Sequence, residues 1–89
     1  YTFFNRFIMV FTFVLPVTGH TVQYKIRDRL GSTIQDWTST GVEERTLDTT
    51  FGFYEYSVDY TVPSETFKGD ILWKSTTDTN YWGVNKIGY

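Results

Sequence analysis

The segment from Phe53 to Val62, "FYEYSVDYTV", alternates without a break: Tyr54, Tyr56, Val58, Tyr60 and Val62 fall on one side, and Glu55, Ser57, Asp59 and Thr61 on the other. A period of two is the signature of a β-strand with one buried and one solvated face, and a helix cannot satisfy it. Pro63 closes the run, because proline has no N–H to give a ladder and restricts the residue before it. A chain that contains this strand must supply others to pair with it.

The rest of the sequence supplies them. From Thr21 to Asp28, Val22, Tyr24 and Ile26 oppose Gln23, Lys25 and Arg27, and "DRLGS" then turns the chain. A run from Thr33 to Thr38 carries Ile34 and Trp37. Gly41 breaks it, suited to a bulge or a positive φ, before a short run from Val42 to Leu47. The period slips once within this pair. After "LDTTFG" and the Phe53–Val62 strand, "SETFKG" is a loop, Gly69 to Lys74 places Ile71 and Trp73 together, "STTDTN" is a polar turn, and Tyr81 to Ile87 closes the chain. Composition agrees: no alanine is present, threonine fills 15 of the 89 positions and aromatics 20%, so the best helix former is missing while strand formers abound. Leu, Ile, Val and Phe at 25 positions, with a net charge of only −2, are enough for one small folded domain rather than a disordered chain.

The opening 19 residues admit three readings. At odd positions Tyr1, Phe3, Phe7, Met9, Phe11, Phe13 and Leu15 are apolar, and Phe4, Ile8, Val10 and Val14 make the second face largely apolar too. This predicts a strand buried on one face and partly covered on the other. From Phe7 to Val17 it would extend about 36 Å at about 3.3 Å per residue, longer than a domain this small needs. The excess is expected to meet a neighbouring subunit, with residues Thr2 to Ile8 as a docking arm that pairs by β-augmentation. The expected organisation is therefore an apolar strand or assembly arm over residues 1–20 and a β-sandwich over residues 21–89. The subunit-contact candidates are Phe3, Phe4, Phe7, Met9 and Phe11. A signal sequence is the alternative, since Arg6 precedes the apolar run and Val17 and Gly19 are small enough to flank a cleavage. A membrane helix fits poorly, because spanning takes about 20 apolar residues and Asn5, Arg6, three threonines and Pro16 interrupt this stretch.

Few residues suggest chemistry. His20 is the sole histidine and sits in "VTGHT", where an exposed loop position is expected, and no cysteine is present. Triads and imidazole metal sites therefore have one candidate base at most. Glu55 and Asp59 share a strand face, but four residues along a strand is about 13 Å, too far for either glycosidase geometry. "TDTN" lacks the glycine and distal glutamate of a calcium loop. No catalytic, cofactor or metal residue is assigned, no cofactor is expected, and the reading is of a non-enzyme. A pI near 5.1 with scattered cations argues against nucleic acid, and no stable membrane insertion is expected. Aromatic rings remain: Trp73 is in phase with Ile71 and reads as core, while Trp37, Tyr81 and Trp82 are candidate stacking platforms for a glycan. Adjacent in a strand, Tyr81 and Trp82 must face opposite ways.

"TVQYKIRDRLGSTIQDWTSTGVEER" followed by "FYEYSVDYTVPSETFKGDILWKST" resembles a small immunoglobulin-like β-sandwich module of tailed-bacteriophage virion proteins. The shared elements are a strand of the type "VQYKIRD", a Thr-rich segment leading to "TGVEE", a strand ending in "YTVP", and "FKGDILW", over about Thr21 to Lys74. The resemblance implies an antiparallel immunoglobulin-like sandwich of about seven strands with no catalytic residue. It also implies a structural part of the head, tail or fibre of an extracellular particle, whose partners are other virion proteins and copies of itself. A secreted carbohydrate-binding sandwich with an export signal is the second expectation.

Overall fold

The computed structural model describes residues 7–48, 50 and 52–88. Phe3, Phe4 and most of the expected docking arm lie outside the described residues. The described residues are all-β, with seven strands: β1 (Ile8–Leu15), β2 (Val22–Asp28), β3 (Thr33–Thr38), β4 (Glu43–Asp48), β5 (Phe53–Thr61), β6 (Gly69–Ser75) and β7 (Trp82–Ile87). They form two antiparallel sheets, one ordered β1-β5-β4 and the other β3-β2-β6-β7.

Each sheet draws its inner face from the alternation. In the four-stranded sheet, Val22, Tyr24 and Ile26 of β2 stand opposite Ser75, Trp73 and Ile71 of β6, and all six are buried. In the three-stranded sheet, Phe11, Phe13 and Leu15 of β1 stand opposite Val58, Tyr56 and Tyr54 of β5. The two faces meet in one core, where the Phe13 ring stacks on Trp73 at 5.5 Å between centroids and Tyr24 lies against both Trp73 and Tyr60. Burying side chains of this size contributes about 1.5–3 kcal/mol each, which is how a chain this short offsets its ordering entropy.

The hairpins β2–β3, β4–β5 and β6–β7 stay within a sheet, and the other three connections cross between sheets. In the first hairpin Asp28 Oδ1 accepts from the N–H groups of Leu30 and Ser32, and Gly31 takes a φ of 91° that L-residues avoid. Gly41, at φ 82°, turns the chain from β3 to β4. β1 ends at Leu15, short of Val17, because Pro16 has no N–H to continue the ladder. The strand has eight residues and β5 nine.

Candidate functional site

Polar ties concentrate where β1 crosses to β2. The buried Tyr56 hydroxyl donates to Val17 O at 3.0 Å and accepts from His20 N–H at 3.3 Å. Burial raises the pKa of this phenol, with the Glu44 charge adding to the rise. Glu44 accepts from the Thr18 hydroxyl and, at 2.9 Å, from Gly19 N–H. These two donors, Thr18 foremost, hold its carboxyl below the usual carboxylate range. Ser75 Oγ, fully buried, accepts from the N–H groups of Thr77 and Asp78. Both its lone pairs are then used, so its own hydrogen is the one directed at His20 Nδ1, 2.8 Å away. His20 is half-buried and packs edge-to-face on Tyr81, where an exposed loop residue had been expected. The reason is tertiary, because Ser75 and Tyr81 come from the far end of the chain. These bonds tie the crossing from β1 to β2 onto β4, β5 and the end of β6.

The other polar candidates resolve as surface. Glu55 faces outward and pairs with Arg45 at 2.6 Å, and Asp78 of "TDTN" accepts from Asn80 N–H in a turn. Among the described residues no group of three His, Asp or Glu side chains is placed to hold a metal ion. Among the described residues no helix is long and apolar enough to cross a membrane.

Two exposed surfaces remain. The first is the outer face and edge of β1. Ile8 is 50% exposed, Val10 64% and Val14 45%, and they form a row beside Thr61, Asp59 and Glu55 of β5. β1 is an edge strand of its sheet. Phe7 O accepts from Val62 N–H at 2.8 Å. The antiparallel alternation therefore turns the N–H and C=O groups of Ile8, Val10, Thr12 and Val14 away from β5. Of the expected contact residues, Met9 is 37% exposed, Phe7 is half-buried and Phe11 packs against the core. The outward apolar row is Ile8, Val10 and Val14, which the odd-position reading did not select.

The second is the outer face of the four-stranded sheet. Three rows cross β2, β6 and β7: Gln23–Lys74–Trp82, Lys25–Leu72–Val84 and Arg27–Asp70–Lys86. The last is held by Asp70, which pairs with Arg27 at 3.1 Å and Lys86 at 3.2 Å. β3 is out of regular register with β2: Tyr24 stands opposite Thr38, and Ile26 opposite Gln35. Between these pairs Lys25 of β2 is thus matched by two residues of β3, Asp36 and Trp37, a bulge beside which Trp37 lies over this face. Lys74 Nζ lies 4.2 Å from the centre of the Trp37 ring and Lys25 Nζ 6.0 Å, a cation–π arrangement. Trp82 is 71% exposed. Between the two indoles runs a groove of about 450 Å³, with Leu72, Val84, Lys74 and Arg27 among its lining residues. The expected stacking residues Trp37 and Trp82 are thus brought together. Tyr81 is not with them; it faces inward against His20 and the core.

Searches with protein-family models, curated proteins and solved structures find no match for this chain.

Proposed function

We propose that the chain is a non-enzymatic structural component of a bacteriophage particle, a capsid-decoration, tail or fibre-associated module that acts through contacts with neighbouring subunits. The observation that carries this reading is the edge of β1, an eight-residue apolar strand whose backbone groups along one side are paired by no strand among the described residues. Soluble proteins blunt such edges with charge, proline or a cover, because an open edge recruits another strand. Here Ile8, Val10 and Val14 carry no charge, and no strand covers them among the described residues.

Strand order supports an immunoglobulin-like reading of the sandwich. In that fold a first strand A lies beside B in the order A-B-E-D, opposite a sheet built on C, F and G that a C′ strand extends beyond C. Taking β1-β5-β4 as B-E-D and β3-β2-β6-β7 as C′-C-F-G accounts for every pairing. The place of A, beside β1, is filled by no strand among the described residues. A strand from an adjacent subunit fits there by β-augmentation, and repetition around a particle makes weak single contacts sufficient.

The test is to isolate the protein from its native source and measure the size in which it travels, beside the variant Val10→Lys. Val10 points to solvent, so lysine leaves the monomer folded while placing a charge on the edge. The wild-type chain is expected in a large particle and the variant free of it. A wild-type chain recovered only as a free monomer, or a variant that assembles normally, overturns the proposal.

A second reading, a secreted carbohydrate-binding module, is favoured by one observation: Trp37 and Trp82 flank a common groove on the opposite sheet.

A further inference from the structure

We infer that the Trp37–Trp82 groove binds an acidic saccharide, with its sugar rings laid on the two indoles and its carboxylate paired to Lys74; the inference rests on the carbohydrate-binding reading and specifies its ligand class. The shape comes first. At about 450 Å³ the groove lies within the range of roughly 300–1,000 Å³ of small-ligand sites. It is lined by Trp37 and Trp82, from the two outermost strands of the sheet, together with Leu72 and Val84. Such a surface suits the apolar C–H faces of a pyranose, which stack on indole.

Charge decides the class of saccharide. Lys25, Arg27, Lys74 and Lys86 all project from this face, and Asp70 is the one carboxylate in its three rows. That is half of the chain's 8 cations, on a protein whose net charge is −2. Asp70 is engaged by Arg27 and Lys86 at one end. Lys74, at the centre of the groove and directly across the ladder from Trp82, makes no ion pair among the described residues and rests on the Trp37 face. A cation held against an aromatic ring, beside an apolar floor, is placed to meet an anion on a ligand that stacks on the same ring. A single-stranded nucleic acid would also use rings and cations. It needs, however, a cationic track that follows successive phosphates, whereas here Leu72 and Val84 lie between Lys74 and Lys86, and Asp70 engages Arg27 and Lys86 at the far end.

The experiment uses the full chain on an array of uronate- and sialate-bearing saccharides, their neutral or esterified counterparts, and oligo(dT) as the nucleic-acid probe. Affinities are then measured for wild type, Trp82→Ala and Lys74→Gln. Trp82 and Lys74 lie on the outer face, so both variants keep the fold, checked by circular dichroism. The expected result is retention of acidic saccharides, at least tenfold weaker binding by Trp82→Ala, and loss by Lys74→Gln of the preference for acid over neutral forms. Equal binding of acidic and neutral saccharides overturns the acidic specificity while keeping the carbohydrate reading. Binding of no saccharide, or of oligo(dT) alone, overturns both.

Discussion

At the scale of single residues, Tyr56 and Glu44 hold the crossing from β1 to β2. Replacing Tyr56 by Phe keeps the buried ring but strips Val17 O and His20 N–H of one partner each. A loss of about 1–2 kcal/mol is expected, read as a lower urea midpoint with an unchanged slope. Glu44 makes the corner pH-sensitive. Its folded pKa is depressed by the Thr18 and Gly19 donors, so its contribution is present above its unfolded pKa and lost as pH falls through the lower folded value. Glu44→Gln is therefore expected to be slightly less stable than wild type at neutral pH and equal to it in acid, as urea midpoints measured across that range will show. Because Glu44 is solvent-exposed, the difference is small. A gap that widens in acid would contradict the assignment. Nothing local in "GVEER" announces this role, since the donors come from "VTG" far upstream.

At the scale of elements, the alternating strands were legible and their partners were not. The inner faces of β2 and β5, and Trp73 in β6, follow directly from a period of two. For β1 both faces were apolar, so the same rule could not say that Phe11, Phe13 and Leu15 turn inward, and Phe11 was expected at a subunit contact instead. β3 was harder still: its bulge breaks the period, and only pairing to β2 reveals that Trp37 lies over Lys25 and Lys74. Glycine marks one contact between elements that composition conceals. A Cβ at Gly83 of β7 would come within 2.8 Å of Phe13 Cε1, so this position lets the β1 ring lie flat on Trp73. Gly83→Ala is expected to displace that ring and cost about 1–3 kcal/mol. Near-ultraviolet circular dichroism would report the lost Phe13–Trp73 stack, and an unchanged spectrum and midpoint would refute it.

At the scale of the whole molecule, the two sheets divide the proposed roles. The open edge of β1 belongs to the three-stranded sheet and the indole groove to the outer face of the other. The Val10→Lys assembly test and the Trp82→Ala saccharide test therefore act on surfaces separated by the core, and their effects are expected to be independent. A measured interaction between them would mean that one surface serves both roles. The amino-acid sequence by itself determined that the chain is all-β, where its strands lie and which residues line the inner faces of β2, β5 and β6, because pleating imposes a local period on a regular strand with one apolar face. Only the tertiary structure decided that Trp37 and Trp82 share a groove, that His20 meets Ser75 and that β1 lies at an edge. Each of these depends on which strands become neighbours. That order is set by how two sheets bury their faces together, a property of no single stretch of chain.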